Sequence, residues 1–475
     1  MTKSLLALVS LAYLACASPV PDAEPQVSPR QISLPPLIPS IPGVTEPLTS
    51  DLSIPLPILQ IPTPPLPSPP FQASDIKPKK IGYFWTGAGD NIHADFLATY
   101  SLDDDTFGTL LWITDVPTSG NSPHHLGPSK DGKTLVGGGL LSLLKTQDTA
   151  YYFDVSNPYR PSFKKSDRAI LASITDEIRA KPDGGFFITY MGSAVGTSPG
   201  RLVETDADYN IIHEWPEDVA GTLNILGEQF SPHGLSVHWE KNVMLTSDFV
   251  VPITILKPSL GIQHANTLRL WDLPTRTIIS TIEIPDGGGI QDIKFIPFNS
   301  EGAALATAAK SGSSTPSATT PLENKVSPSC STISDLRPGI PSPSTPTSPK
   351  TEKFIYLTLT TANHIAALDI SDLSNVKRLD DPDEVQPSIG PHYIKITPDQ
   401  KHIVVTDYFV QTGDIGLINT PADFKALYID INPDGSLHFN RTIDFESLYA
   451  ESRGGAKPHS SVVFDLTDPA NPLYY

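Results

Sequence analysis

SPHGLSVHWEKNVMLTSDFV (residues 231–250) and GPHYIKITPDQKHIVVTDYFV (residues 390–410) are two copies of one pattern, and that pattern decides the fold. Each opens with Pro-His and runs through an alternating strand to a charged turn. A second strand follows, passes a Thr, and ends in Asp and an aromatic residue. Apolar and polar residues alternate with period two, which is the signature of a half-buried strand rather than a helix. SPHHLGPSKDGKTLVGGGL (122–140) repeats the opening and the turn, and EIRAKPDGGFFITYMG (177–192) repeats strand, turn and strand without Pro-His. IQDIKFIPFNSEGAALATA (290–308) is a weaker copy.

The spacing of the copies is regular. His124 and His233 are 109 residues apart, two units of about 55. His233 and His392 are 159 apart, which returns to the same value once an insertion of about 50 residues is removed. Glu177 and Asp292 fall near the midpoints. Between the copies lie more short β-branched or aromatic runs, such as AYYFDV, RLVETD, TLRLWDL, FIYLTLT and KALYIDI, bounded by Gly, Pro, Asp or Asn. The chain shows no long amphipathic helix. Its 49 prolines in 475 residues also argue against helices, because an interior proline breaks them. Many short strands in one rhythm over some 400 residues predict an all-β β-propeller. Six units are clear by eye. The last begins near His459, and its strand SVVFDL is expected to pair with an N-terminal strand such as KIGYFW, closing the ring without a free edge.

The flanks differ in character. Residues 1–17 combine one Lys, a short apolar run and Ala-Cys-Ala, the layout of a secretory signal peptide, so the protein is expected to be secreted. Cleavage there removes Cys16 and leaves Cys330 without an intramolecular partner. Asn440-Arg441-Thr442 is a glycosylation sequon consistent with export. Residues 18–78 are too proline-dense for regular structure and read as a linker or pro-segment before a domain at 79–475. The stretch at about 303–351 is rich in Ser, Thr and Pro and reads as a low-complexity insertion containing Cys330. A net charge of −19 repels a phosphate backbone and excludes nucleic acid as an expected partner. The mean hydropathy of −0.12, with no apolar run of spanning length, predicts no membrane partner. A monomer acting on a small molecule is the expectation.

Four of the 12 histidines follow a proline, where chance alone gives about one. They are His124, His233, His392 and His459. If the strand they open is the innermost of each blade, their side chains meet at one mouth of the channel. The preceding proline stiffens the entry and helps aim each ring. Converging neutral imidazoles suit Cu, Zn, Fe or Ni. His125 is positioned to turn inward beside or instead of His124. Glu177 and Asp292 are candidates for a carboxylate ligand or for orienting a histidine, and Glu177 also for a catalytic base. Two other readings stay open. Pro-His belongs to the turn grammar of the repeat, each His capping a carbonyl, or the site is catalytic without a metal. Asp248 and Asp407 read as turn residues, His238 and His402 as surface strand residues, and Trp215, Trp239 and Trp271 as blade packing. The glycine runs 137–139 and 287–289 precede no helix, so they read as bulges or close approaches rather than phosphate loops.

Several of these segments, taken in order, resemble the selenium-binding protein / methanethiol oxidase family. They are His124-His125 with AYYFDV, EIRAKPDGGFFITYMG with RLVETDADYNIIHEWPED, NVMLTSDFVVP, NTLRLWDLPTRTIISTIEIPDGGGIQDIKFIP, and GPHYIKITPDQKHIVVTDYF. The resemblance is collinear over roughly residues 80–475. It implies a seven-bladed propeller and metal-dependent oxidation of a small thiol, with copper, or alternatively zinc or iron, held by channel histidines. His124-His125 matches the family's His-His pair. The family's next metal histidine falls near Thr175–Glu177, where this chain has none, and its selenium-binding cysteine has no counterpart. An exported metal-dependent oxidoreductase is therefore the leading expectation. A lactonase-like hydrolase or a non-catalytic binding propeller is the alternative.

Overall fold

The computed structural model describes residues 62–216, 230–256, 263–284, 287–296, 302–311, 330–333, 353–408 and 422–474. The expected signal peptide, most of the proline-rich segment and most of the expected insertion lie outside these residues. Strands account for nearly all the regular structure, and helices are single turns such as Ser142–Lys145 and Phe445–Leu448. No helix among the described residues is long and apolar enough to cross a membrane.

The strands form a β-propeller of antiparallel sheets. Six sheets have four or five strands, and a further one pairs Gly287–Phe295 with Ala304–Ser311 alone. In the five-stranded sheet the C-terminal strand Ala456–Asp465 pairs with the N-terminal strand Lys80–Ala88, Tyr83 opposite Val462. The pairing of SVVFDL with KIGYFW expected from the sequence is therefore present. The stretch expected as an insertion supplies Ala304–Ser311 at its start and Cys330–Ile333 further on, the latter pairing with Phe354–Leu359.

The first strand of each sheet packs beside the first strand of the next. Pro123–Pro128 lies beside Ala172–Ala180, then come Pro232–His238, Gly287–Phe295, Cys330–Ile333, Pro391–Ile396 and Ala456–Asp465, which packs beside Pro123–Pro128. These strands are where successive sheets meet. The core fills the wedges between neighbouring sheets. Trp85 is fully buried with Leu135, Tyr151 and Val462, and its indole N–H donates to the Gly138 carbonyl at 2.8 Å. A second wedge holds Phe84, Tyr100, Tyr428 and Phe445.

One local feature recurs in every first strand. The pairing register shifts between Pro123 and Leu126, Thr175 and Ile178, Pro232 and Leu235, Ile290 and Ile293, Cys330 and Ile333, and Pro391 and Tyr393. In the Ala456–Asp465 strand it falls at His459, opposite Trp85 and Thr86. Each is a β-bulge, which sets an extra residue into the first strand. A bulge breaks the alternation of faces, so consecutive side chains both turn toward the axis. Proline suits this position because it lacks the N–H that the bulge leaves unpaired. The glycines at 137–139 allow close approach, as expected. A Cβ on Gly137 would lie 2.8 Å from Trp85 Nε1, and one on Gly138 would lie 2.9 Å from Thr175 Cγ2.

Candidate metal centre

The bulges place five imidazoles around one point. The rings of His124 and His459 have centroids 4.0 Å apart, and those of His124 and His125 are stacked at 4.7 Å. His392 meets His459 edge-on at 4.7 Å, and His233 lies 5.6 Å from His125. All five are at least 93% buried. The tightest group is His124, His125 and His459, in which one ring nitrogen from each lies within 4.8 Å of the others. His233 and His392 border this group.

A repeated lock holds the strands that carry these rings. Thr189 donates its hydroxyl to the His233 carbonyl at 2.6 Å, and Thr358 donates to the His392 carbonyl at 2.6 Å. Ser460 does the same to the His124 carbonyl at 2.5 Å, and Thr406 to the His459 carbonyl. In each case a hydroxyl of one sheet satisfies the carbonyl that the next sheet's bulge frees. The shared aromatic at the end of the second strand then packs on a ring. Phe249 lies 5.2 Å from His233, and Tyr408 lies 4.5 Å from His459. Tyr408 also hydrogen-bonds Ser122, directly before the His124 strand, at 2.5 Å.

Carboxylates stand behind the imidazoles. His125 Nδ1 is 2.6 Å from Glu177 Oε2. Glu177 is in turn held by Arg179 and, at 3.6 Å, by Lys294, which also pairs with Asp292 at 2.9 Å. Burial opposes ionisation of Glu177, but Arg179, Lys294 and His125 outweigh it and keep the carboxyl well below its usual range. Asp292 is raised, because burial exceeds what Lys294 returns. Asp176 is fully buried, with Oδ1 3.2 Å from His124 Nδ1 and 3.5 Å from His233 Nε2. Burial pushes it up to about 6 against the pull of His233 and His125.

Four of these histidines, His124, His233, His392 and His459, are held neutral. Burial, reinforced by neighbouring imidazoles, lowers His124, His392 and His459 well below the ordinary value. Burial also takes His233 down to about 4, Asp176 pulling the other way. Neutral imidazole is the form that binds a metal. His125 Nε2 and both ring nitrogens of His459 are buried without a hydrogen-bond partner. Such nitrogens are expensive to bury unless something pairs with them. Three converging donors, with Glu177 fixing the tautomer of His125 from behind, fit a transition-metal ion.

The histidines proposed from sequence thus converge, and both His124 and His125 belong to the tight group. Glu177 faces His125 and two cations, so it orients a ring. Asp292 is tied to Lys294. Asp248 and Asp407 are not turn residues. Each is buried at the end of a second strand and clamps the segment entering Pro-His, Asp248 accepting the Ser231 N–H at 2.8 Å and Asp407 the Ile389 N–H at 3.1 Å. Sequence reasoning missed Asp176, Arg179 and Lys294. For Arg179 and Lys294 the signal was present: charged residues alternate with an isoleucine in E-I-R (177–179) and D-I-K (292–294).

No protein-family model and no curated protein sequence matches the chain. Among solved structures it is similar to a hypothetical selenium-binding protein from Sulfolobus tokodaii, with 17% identity and a TM-score of 0.60 over 82% of this chain and 94% of that one. It is also similar to a periplasmic gluconolactonase from Pseudomonas aeruginosa, with 11% identity and a TM-score of 0.49 over 77% of this chain and 96% of that one. At these identities the likeness is one of fold: the chain shares the propeller architecture of the Sulfolobus protein.

Proposed function

We propose that the protein is a secreted, metal-dependent oxidoreductase in which channel histidines hold one copper ion that acts on a small molecule. The observation that carries this reading is the buried group His124, His125 and His459, one ring nitrogen of each within 4.8 Å of the others, with His125 Nε2 and both ring nitrogens of His459 left without a hydrogen-bond partner. Bound copper supplies one-electron chemistry between a reduced substrate and dioxygen. The protein's own part is to bring the rings together on bulged strands, to hold His124 and His459 neutral by burial, and to orient His125 through Glu177. The same reading takes the Gly287–Phe295 pair as a seventh, reduced blade, and the 80–88 strand as the closure of the ring. Zinc or iron suits the same imidazoles, so the choice of copper rests on the resemblance in sequence and on the all-nitrogen character of the tight group.

A lactonase-like hydrolase is the second reading, and Asp176, Glu177 and Asp292 beside the histidines are what favour it. One experiment separates the two. Purified mature protein, loaded with Cu²⁺, is given small thiols in one arm and lactones in the other, and oxygen uptake and ring opening are followed. Thiol-dependent oxygen uptake that is lost in His459→Ala supports the oxidoreductase. Lactone hydrolysis without oxygen uptake overturns it.

A further inference from the structure

We propose that Asp176 binds the ion directly, beside His124, so that the centre is a mixed imidazole–carboxylate site for a divalent metal. This rests on the metal reading above and names the charged donor that reading lacks.

Charge and geometry carry it. The side chain of Asp176 is completely shielded from solvent, and neither carboxylate oxygen has a well-formed hydrogen bond, the Met191 N–H offsetting its burial only in part. No lysine or arginine among the described residues lies within salt-bridge distance of it. The neighbouring carboxylates differ. Glu177 faces Arg179 and Lys294, and Asp292 faces Lys294. A buried carboxylate with little hydrogen bonding and no lysine or arginine beside it is strongly unfavourable, and a bound cation removes that penalty. Ligands held about 2.0–2.2 Å from an ion in adjacent positions sit about 3 to 3.5 Å apart. Asp176 Oδ1 has that spacing from His124 Nδ1, at 3.2 Å, and from His233 Nε2, at 3.5 Å. The three residues come from three successive first strands, each at its bulge. Imidazoles joined by one carboxylate suit a divalent first-row metal.

The test uses the full mature chain and Zn²⁺ as the probe, titrated against a competing chelator, for the wild type and Asp176→Asn. A ligand role predicts an affinity loss beyond 100-fold, with metal-free Asp176→Asn at least as heat-stable as metal-free wild type, because a buried unpaired charge is gone. A loss of 100-fold or less is the size expected of a residue behind the ligands, and overturns the proposal. So does a lower melting temperature of the metal-free variant. A Zn²⁺-soaked wild-type crystal gives a second readout that needs no variant. An anomalous peak about 2 Å from Asp176 Oδ1 supports the proposal. A peak among His124, His125 and His459 but beyond about 3.5 Å from Asp176 overturns it while leaving the metal reading intact. Absence of bound Zn²⁺ in the wild type overturns both.

Discussion

Thr189→Val tests the inter-sheet lock that carries the histidines. Valine matches threonine in volume, so the change leaves no cavity, and its effect is that of the lost hydroxyl. Thr189 is fully buried. Its hydroxyl donates to the His233 carbonyl at 2.6 Å and accepts the Glu177 N–H at 2.9 Å. Thr406 holds the equivalent place and donates to the His459 carbonyl. Each buried backbone group left unpaired costs about 1–3 kcal/mol. Thr189→Val strands two such groups, for about 2–6 kcal/mol, and Thr406→Val strands one, for about 1–3 kcal/mol. Urea unfolding of the metal-free proteins measures both. The expected result is that Thr189→Val is the more damaging, by a factor near two. Equal losses, or a Thr189→Val loss under about 1 kcal/mol, refute the lock as the device that holds the bulged strands.

Two further outcomes follow from particular contacts. Burial opposes ionisation of Asp380, but hydrogen bonds from His364, Arg378 and the Ala367 N–H outweigh it and hold the carboxyl at about 2. Its folded value lies below its unfolded one, so its stabilisation is present above about pH 4 and is lost as pH falls toward 2. Asp380→Asn is therefore expected to be about 2 kcal/mol less stable than wild type at pH 7, with the gap closing in acid. A gap independent of pH in denaturation curves contradicts this. Gly137→Ala brings a methyl to 2.8 Å from Trp85 Nε1, in a wedge without spare room, and is expected to cost about 1–3 kcal/mol in unfolding free energy. An unchanged unfolding midpoint counts against the packing described for Trp85.

The propeller could be read from the sequence because its repeat is written in surface terms: strand alternation, turn residues and a regular spacing. The Pro-His positions were readable for the same reason, since the proline marks the bulge. Asp176 was not. Alternation sends neighbours to opposite faces, so a reading based on it takes Glu177 and leaves out the residue before it. The bulge between Thr175 and Ile178 cancels that rule and turns both carboxylates toward the histidines. The adjacent pair His124-His125 is explained in the same way. Asp248 and Asp407 were misread for a related reason. Each follows a strand and precedes an aromatic, as a turn residue does, yet it is buried by the strand opposite, which the local sequence does not contain.

The most direct test of the central claim is the metal content of the purified mature protein after loading with Cu²⁺ and removal of excess ion. The account predicts one tightly held ion per chain, and loss of that ion in both His124→Ala and His459→Ala, whose rings come from different sheets. A wild type that retains no ion, or two variants that both keep a full complement, contradicts it.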